Sequence, residues 1–539
     1  MVLMYIRPSK ITCFVIASVL ILGISASTVS ASPILHTYTL AEDPTFITYF
    51  GGSNTEDATK VAFDNEGNTI LIGQTMSSNL PVTDNAFQSE DGGGDGDWDS
   101  FIAKFSTTGE LLFCSYLGGS GYEHVTSVNV DSENNVVVAG TTQSTGLPTT
   151  AGALHESPLG QTDGFIFKIA PNGTVLYGTY FGGTGQDWIY GMEFDDSGNY
   201  LFSGWTTTAG LATSGVYQTS YAGGGGDAFV ARISADGSTL QMFSYVGGVS
   251  DDKAWTMTVD NSYNFIISGV ASLGFPVTSG AYQGSHGGSY DAFLVKVSYS
   301  GVILNFSTFI GGSGDDLGLG VDVDSHGDII LTGDAESSNI NTMNAVQEDF
   351  AGGTNDFFAS KFNSTGSPYF VTYIGGNDTD RCWDARVDAD DNLILVGRTS
   401  SADFPAFNGL NDTKASGLDA CVMKLSSDGQ TILASTFIGG GGEDIGEGIA
   451  VDEDGNIVVT GRTWSLDLPT TEGAYQEEKS SLSDVFVCHA PFLSRSITVT
   501  TTTTPSSPIP PPDDITMIAA VTGGVVIIVI LAFFLKRKA

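Results

Sequence analysis

The sequence contains few basic residues. Only 20 lysines and arginines stand against 61 aspartates and glutamates in 539 residues, which gives a formal net charge of −41. A surface of this charge repels the phosphates of nucleic acids and anionic lipids, so we expect no nucleic-acid partner and a preference for cations or basic partners. The same charge also keeps a protein soluble, and that simpler explanation stays open.

Cysteine is scarce as well. There are five cysteines, of which Cys13 lies near the N-terminus and the others are Cys114, Cys382, Cys421 and Cys488. These four fall in predicted strands and lack the close spacing of a metal site. We therefore expect free, buried thiols and no disulfide framework.

Recognisable catalytic signatures are missing. The six histidines do not repeat and show neither metal-ligand spacing nor the pattern of a catalytic triad. Acidic residues are abundant, but they occupy predicted turns, so no glycosidase pair can be singled out. The sequence therefore predicts a protein that is not an enzyme, with a polysaccharide hydrolase or lyase as the least favoured alternative.

A pair of glycines followed by an acidic residue returns seven times along the chain. The first glycines of the pairs are residues 51, 118, 182, 247, 311, 375 and 439, so the repeat is 64 to 67 residues long. A fixed period of this length indicates one repeat array and not several independent domains.

Each repeat contains four segments with the pattern of β-strands. In the fifth repeat they read VILNFSTFIGG, DDLGLGVDVD, DIILTGDAE and NDFFASKFN, separated by short turns and one longer loop. Helical periodicity is absent from the array, and seven four-stranded antiparallel sheets fit a β-propeller. A lone strand at residues 45–50 precedes the first repeat, whereas the last repeat lacks its final strand. We therefore predict that the N-terminal strand completes the seventh blade and closes the ring.

Four short motifs recur in these units. They read DEDGNIVVTGRT from Asp452, LPTTEGAYQ from Leu468, DAFLVKV from Asp291 and STFIGG from Ser307. In this they resemble the seven-bladed β-propeller repeat family SBBP, and the resemblance covers about residues 45–493. It implies a secreted or surface-exposed propeller and no particular activity.

The two ends of the chain have the features of an exported, membrane-anchored protein. Residues 1–31 resemble a signal peptide, with basic residues before an apolar run and small residues up to Ala31. Residues 515–535 carry no charge and are long enough for a transmembrane helix, and the basic tail at 536–539 is expected in the cytoplasm. Residues 494–514 are rich in Thr and Pro, which is typical of an extended stalk. We expect a single-pass protein of the cell membrane with its propeller, residues 45–493, outside the cell.

Three acidic positions recur in all seven units. Strands are called a to d from the axis outward, and the first acidic position lies in the d–a link between consecutive units. Because it alternates between Glu and Asp, we predict a ring of carboxylates at one mouth of the axis that binds Ca²⁺ or a cationic ligand. In the alternative, each acid caps the amides of its own glycine turn. The seven first-position acids are Glu56, Glu123, Asp187, Asp252, Asp316, Asp380 and Asp444.

The other two acidic positions have local explanations. The second opens the a–b turn, where Asp bonds the backbone of its own turn. The third precedes strand c and is expected to tie the long b–c loop to that strand. The second-position acids are Asp64, Asp131, Asp195, Asp260, Asp324, Asp388 and Asp452. The third-position acids are Asp99, Asp163, Asp227, Asp291, Asp356, Asp419 and Asp484.

The b–c loops are expected on the same face of the ring as the d–a links. Several carry an aromatic residue, namely Phe87, Tyr217, Tyr282 and Tyr475. Such residues can stack on sugar rings and are candidate ligand contacts, although an aromatic also pins its own loop to the blade. Five Asn-X-Ser/Thr sequons are candidate glycosylation sites: Asn172, Asn305, Asn363, Asn377 and Asn411.

These features together predict an extracellular, membrane-anchored binding or adhesion module. Its ligand would be a glycan, a protein or a cationic molecule. The main alternative is a structural component of the cell envelope that is stabilised by divalent cations.

Overall fold

The computed structural model describes residues 34–35, 43–93, 98–415, 417–491, 500–501, 518–522 and 525–529. It divides into two units, one of Thr39–Arg495 and one of Met1–Tyr38 with Ser496–Ala539. The first unit contains seven four-stranded antiparallel sheets, so the predicted seven-bladed propeller is confirmed.

Blades 1 to 4 follow the chain in order, with their strands paired from a to d. Blade 1 contains β3 (Glu56–Phe63), β4 (Thr69–Thr75), β5 (Asp99–Phe105) and β6 (Leu111–Leu117). Blade 2 contains β7 (Glu123–Val130), β8 (Val136–Thr142), β9 (Asp163–Ile169) and β10 (Val175–Phe181). Blade 3 contains β11 (Asp187–Phe194), β12 (Tyr200–Thr206), β13 (Asp227–Ile233) and β14 (Leu240–Val246). Blade 4 contains β15 (Lys253–Val259), β16 (Phe265–Ala271), β17 (Asp291–Val297) and β18 (Leu304–Ile310).

Blades 5 to 7 complete the ring. Blade 5 contains β19 (Asp316–Val323), β20 (Ile329–Ala335), β21 (Asp356–Phe362) and β22 (Pro368–Ile374). Blade 6 contains β23 (Asp380–Val387), β24 (Leu393–Thr399), β25 (Asp419–Leu425) and β26 (Ile432–Ile438). Blade 7 contains β27 (Asp444–Val451), β28 (Asn456–Thr463), β29 (Asp484–Pro491) and, as its strand d, β2 (Phe46–Phe50).

The N-terminal strand closes the ring as predicted. β2 pairs antiparallel with β29, with Phe46 opposite His489 and Phe50 opposite Val485. The side chains of β2 are all buried, because Ile47 and Tyr49 pack toward blade 6 and Phe46 and Phe50 pack toward blade 1. Burial on both faces fixes the register of this pairing.

Every strand a contains a β-bulge at the same place. The register with strand b shifts around the fourth residue of the strand, counted from the first-position acid. A bulge leaves one residue out of the ladder and redirects its side chain. The seven bulged residues are Thr59, Thr126, Tyr190, Trp255, Leu319, Trp383 and Glu447.

The cores of the blades are apolar and contain the four cysteines of the array. Each core cluster combines residues from neighbouring blades, so the blades are held together by the burial of apolar side chains. Cys114, Cys382, Cys421 and Cys488 are buried and free, as the sequence predicts.

The second unit contains four short strands, β1 (Ile34–Leu35), β30 (Thr500–Thr501), β31 (Ile518–Thr522) and β32 (Val525–Val529). They form one antiparallel sheet in the order β30-β1-β31-β32. Within the described ranges, no helix has the length and apolar character needed to cross a membrane. The predicted signal peptide lies outside the described residues, and most of the predicted stalk and transmembrane helix does too, so all three stay predictions.

Candidate functional site: the axial chamber

The second-position acids hold the a–b turns, as predicted. In blade 1, Oδ1 of Asp64 accepts hydrogen bonds from the amides of Glu66 and Asn68 at 2.9 and 2.8 Å. Lys104 on strand c lies 2.5 Å from Oδ2 of the same aspartate. Although burial opposes the effect, the hydrogen bonds from Lys104 and Asn68 lower the pKa of Asp64. These acids are structural.

The third-position acids tie the b–c loops to strand c, which also confirms the prediction. Oδ2 of Asp163 accepts hydrogen bonds from the amides of Leu159 and Gly160 at 2.9 and 3.0 Å. The equivalent Asp356 accepts from the amide of Ala351 at 2.6 Å. Each acid therefore accepts hydrogen bonds from backbone amides that the loop would otherwise leave unpaired.

The first-position acids are fully buried at the d–a links. In blade 5, Oδ2 of Asp316 accepts hydrogen bonds from the amide of Gly312 at 2.7 Å and the hydroxyl of Ser337 at 2.6 Å. In blade 2, Glu123 accepts from the amide of Gly119 at 2.7 Å and the hydroxyl of Thr142 at 2.6 Å. They cap the glycine turns and do not form a ring of free carboxylates at the mouth of the axis.

Each first-position acid lies beside a third-position acid of the preceding blade. A Cβ added to Gly375 would lie 2.6 Å from Oδ1 of Asp356 and 2.9 Å from Oδ2 of Asp380, so the glycine fits between the two carboxyl groups. Oδ1 of both aspartates is buried without a hydrogen-bond partner in the described residues. Burial, with Asp380 as a further cause, raises the pKa of Asp356 to about 7. The carboxyl groups therefore compete for a proton near neutral pH.

These acids do not assemble into a multi-carboxylate metal site. Among the described residues, one group of three possible metal ligands is close enough to share an ion, and it consists of Asp324, His326 and Asp391. None of the first-position acids belongs to it. Calcium binding at the seven acids therefore stays a proposal. In it, each ion would lie between a first-position acid and the third-position acid beside it.

The b–c loops follow a path that the sequence did not reveal. Each loop descends along the outer edge of strand d, as when the amide of Thr83 donates to the carbonyl of Cys114. The apex reaches the c–d turn of the next blade, where the amide of Tyr217 donates to the carbonyl of Gly301 at 2.7 Å. The loop aromatics therefore lie on the outer wall of the ring and not over the d–a face, which corrects the expected position.

Three of the four loop aromatics pack against aromatic residues of the blades. Phe87 contacts Phe113 of its own blade, with ring centroids 6.3 Å apart. Tyr282 packs on Phe362 of the next blade at 5.9 Å, and Tyr475 packs on Phe105 at the same distance. Tyr217 keeps 38% of its surface exposed. The five sequon asparagines, Asn172, Asn305, Asn363, Asn377 and Asn411, are exposed or half-buried.

An axial chamber lies between the seven innermost strands. A cavity of about 350 Å³ is lined by residues two to five of these strands. A narrower cavity of about 120 Å³ continues toward their C-terminal ends. The wider cavity is next to the d–a links and faces the side of the ring that carries them. Its volume is in the range of ligand-binding pockets, and most of its lining residues come from the bulges.

One side of the chamber is aromatic. The indole of Trp188 stacks on Tyr190 at 6.1 Å and on Trp205 at 5.5 Å. His124 meets the edge of Tyr190, with centroids 6.4 Å apart, and Trp255 lines the chamber from the next blade. The indole N–H of Trp188 is buried without a hydrogen-bond partner in the described residues. Flat apolar faces and a free donor therefore meet on blades 2 to 4.

The opposite side carries Trp383 with two arginines over its ring, and a third arginine, Arg462, on the next blade. The guanidinium carbons of Arg381 and Arg398 lie 4.9 and 5.1 Å from the ring centre of Trp383. Arg381 is paired with Asp334 at 2.6 Å, and Arg462 with Asp57 at 3.3 Å. Because Arg381 and Arg398 are opposite one another on β23 and β24, two like charges share this side.

A pair of carboxyl groups lies between the arginines and the centre of the chamber. Asp57 and Glu447 both line the cavity. Burial and the charge of Asp57 raise the pKa of Glu447 well above its usual value. Glu447 therefore binds a proton more readily than an exposed glutamate does.

A network of ion pairs forms the floor of the chamber. The carboxylate of Asp384 lies 2.8 Å from both Lys60 and Arg386. Although burial raises the pKa of Asp384, Arg386 and Lys60 together lower it. Burial raises the pKa of Glu193, on the same level, to about 7, with Arg386 opposing the shift. These side chains narrow the axis below the wider cavity, so the d–a face is the wider entrance for a ligand.

Comparisons with known proteins support the repeat assignment. The profile of the SBBP family, described as a beta-propeller repeat, matches residues 435–469. The described strands show the same unit seven times in the ring. Residues 435–469 are thus similar to an SBBP beta-propeller repeat, and the described ring repeats a four-stranded unit of the same kind.

A curated relative is distant from this chain. The regulatory protein FlaEY of Caulobacter vibrioides is 25% identical over 233 residues, which are 40% of this chain and 23% of that protein. The matched part of the chain thus spans less than a quarter of the length of this relative.

Two solved structures overlap the chain at 10% identity. A protein of unknown function from Bacteroides caccae covers 61% of this chain with 94% of its own length and a TM-score of 0.29. A polysaccharide lyase, an ulvan lyase bound to a saccharide, covers 77% with 93% of its own length and a TM-score of 0.41. Scores of this size say nothing about the function of this chain.

The sequence does contain a signal for the chamber, because the seven repeats can be aligned with one another. The first-position acid begins strand a, or immediately precedes it in blade 4, whereas the residue after the acid is different in every copy. These second residues are Asp57, His124, Trp188, Lys253, Leu317, Arg381 and Ile445. Four of the six tryptophans, Trp188, Trp205, Trp255 and Trp383, lie on strands a or b. The propeller fold does not require a different residue after each first-position acid, or these tryptophans, so the side chains at these positions are available for a ligand.

Proposed function

We propose that this protein is a binding protein of the cell surface that takes a saccharide into the axial chamber from the d–a face. The observation that carries the proposal is the concentration of unlike aromatic and charged residues at the axis of a symmetric fold. Sugar rings present flat apolar faces and many hydroxyl groups, and the chamber offers aromatic faces beside polar side chains.

The shape of the chamber supports a ligand that enters from one side only. Lys60, Asp384 and Arg386 occupy the floor. A chain end or a branch of a polysaccharide could insert, whereas a strand could not thread through. The predicted signal peptide, stalk and transmembrane helix support an anchored ectodomain that carries the chamber. Adhesion to a glycan-coated surface is the role we propose for it.

Binding by the full-length protein to a panel of oligosaccharides would test this proposal. The protein is purified in a detergent without a sugar headgroup, and binding is measured by titration calorimetry. We expect Trp255→Ala to weaken the binding of any saccharide hit about tenfold or more, because it removes a stacking face.

Tyr217→Ala is the matched control. It removes an exposed aromatic from the outer wall and leaves the chamber intact, so it should not change the affinity. If Tyr217→Ala abolishes binding and Trp255→Ala does not, the ligand binds to the loops and the chamber proposal is wrong. If no saccharide binds the unmodified protein, the saccharide proposal is wrong.

A further inference from the structure

The arginines of blades 6 and 7 differ in how their charges are balanced. Arg381 has Asp334 and Arg462 has Asp57 as ion-pair partners. Arg398 forms no ion pair within 4 Å in the described part of the chain, and its Nε is buried without a hydrogen-bond partner. Arg398 therefore has no direct ion-pair partner among the described residues, although the charges of Asp334 and Glu443 lie near it.

Arg398 is held in place by its neighbours. Its guanidinium lies over the ring of Trp383, which in turn lines the chamber. Burial and the nearby positive charge of Arg381 lower the pKa of Arg398. An anion beside the guanidinium would relieve both effects, because it would supply an opposite charge and accept hydrogen bonds from the unused donors.

The distribution of basic residues in the whole propeller points to the same place. Six of them occupy one repeated position on strand c: Lys104, Lys168, Arg232, Lys296, Lys361 and Lys424. Apart from Lys414 and Lys479 in b–c loops, the rest of the basic residues between 43 and 491 lie on strands a and b: Lys60, Lys253, Arg381, Arg386, Arg398 and Arg462. In a chain of net charge −41, the positive charges outside the repeat pattern are gathered at the axis.

We propose that Arg398 binds an oxyanion carried by the saccharide, so that the ligand of the chamber is an acidic saccharide. The acidic group is a uronate carboxylate or a sulfate ester, which offer the guanidinium the same paired oxygens. The inference rests on the saccharide-binding function proposed above. In this arrangement the sugar ring contacts Trp383 or the aromatic side, and the acidic group lies at the arginine side.

The acidic character of the rest of the protein restricts the binding of acidic saccharides to the chamber. The acidic surface repels anionic polymers at long range, so binding must come from the chamber and not from general attraction. Salt weakens the long-range repulsion more than it weakens a half-buried ion pair. We therefore expect the association rate of an acidic oligosaccharide to rise with moderate salt, the opposite of what a basic surface would give.

The test uses two matched pairs of probes on the full-length protein. Oligogalacturonate is compared with its methyl ester, which keeps the sugar chain and removes the charge, and dextran sulfate is compared with dextran. We expect one acidic member to bind more tightly than its neutral partner. Arg398→Gln should reduce that binding about 10- to 100-fold, the range for a hydrogen bond to a charged group. Binding of the neutral partners should not change.

Two further variants separate binding from folding. Arg398→Lys keeps the charge and should retain part of the affinity. Arg232→Gln removes a positive charge from the outer part of blade 3, where Arg232 lies over Tyr299, and should leave binding unchanged. The melting temperature of each variant shows whether it has folded.

The outcomes distinguish the two proposals. If the methyl ester or dextran binds and neither acidic probe binds more tightly, the saccharide function stands and the acidic ligand is wrong. If an acidic probe binds equally well to folded Arg398→Gln, the assignment to Arg398 is wrong. If none of the four probes binds, the acidic-saccharide inference fails, and the wider oligosaccharide panel decides the saccharide function.

Discussion

The hydroxyl of Tyr373 donates a hydrogen bond to the carbonyl of Ser337 at 2.7 Å and accepts one from the amide of Ile340 at 2.7 Å. This buried tyrosine on strand d therefore holds the start of the b–c loop of its own blade. Tyr116 makes the same two contacts with Ser77 and Leu80 in blade 1. Blades 4 and 6 have Phe309 and Phe437 in this position, and a loop phenylalanine packs against each of them.

Replacing this hydroxyl should destabilise the propeller. Tyr373→Phe leaves a buried amide and a buried carbonyl without partners, which costs about 1–3 kcal/mol. We expect a lower thermal midpoint in calorimetry. As a control, Phe309→Leu changes the equivalent position of blade 4, which naturally carries a phenylalanine, without removing a hydrogen bond. An unchanged midpoint for Tyr373→Phe would mean that water replaces the hydroxyl.

The buried acid pairs predict an unusual dependence of stability on pH. Burial raises the pKa of Glu56, Glu123 and Asp252 to about 7, and that of Asp316 to about 6. A carboxyl group whose pKa is raised on folding contributes stability at low pH and loses it as the pH rises through the folded value. We therefore expect the melting temperature to fall between pH 5.5 and pH 8, by differential scanning fluorimetry.

The second-position acids set the limit on the acid side. Hydrogen bonds and lysines lower the pKa of Asp64, Asp131 and Asp260, so their contribution is lost as the pH falls below about 4. Stability should thus be highest in mildly acidic solution. Glu123→Gln should flatten the decline above pH 6, whereas Glu110→Gln, at an exposed site, should not. A melting temperature that is constant from pH 5.5 to pH 8 would contradict this role for the pairs.

Calcium gives a second test of the same pairs. The proposed Ca²⁺ would neutralise two facing carboxylates as a proton does. If it binds there, adding Ca²⁺ at pH 8 should restore the melting temperature seen at pH 5.5, and a chelator should reverse the effect. No response to either would leave protons as the only neutralising partner and remove the calcium proposal.

The glycines between the acid pairs should not tolerate a side chain. A Cβ at Gly375 would overlap carboxyl groups on both sides, so Gly375→Ala forces the pair apart. We expect a loss of about 2 kcal/mol or more, measured by urea unfolding. Gly284→Ala is the control, because no atom lies within 4 Å of its added Cβ. Equal stability of the two variants would show that the link can shift.

The floor of the chamber depends on one carboxylate. Asp384→Asn leaves Lys60 and Arg386 without their shared partner, and breaking a buried ion pair costs roughly 3–5 kcal/mol. Because both basic residues are partly exposed, we expect the lower end of that range, measured as a shift in the urea midpoint. Asp428→Asn, at an exposed turn, serves as the control. A loss no larger than that of Asp428→Asn would show that water can replace the carboxylate.

The repeat allowed most of the fold to be predicted. Seven copies define the strands, and the half-units at residues 45–50 and 484–491 define the closure. The orientation of Glu56 and its equivalents was harder to predict, because their proximity to the axis does not show which way their side chains point. Because side chains alternate along a strand, the first residue of strand a faces the blade core when the second faces the axis.

The bulges made the chamber itself difficult to predict from the sequence. Alternation would direct the second, fourth and sixth residues of strand a to one face, but the bulge at Trp255 and its equivalents changes this pattern after the fourth residue. Lys60, at the fifth position, consequently also lines the axial cavity. Asp384, at the fifth position of its own strand, forms an ion pair with Lys60 there. Comparison of the seven copies with one another would have identified the second and fourth positions as the variable ones.

The closure by β2 also has a mechanical consequence. A pull on the chain after Pro491 acts on β29, which is bonded to β28 on one side and to β2 on the other. An outermost strand would peel away one hydrogen bond at a time, but β29 must be sheared from both neighbours together. If the chain is tethered to the membrane through its C-terminal end, the load acts on a strand that is held on both sides.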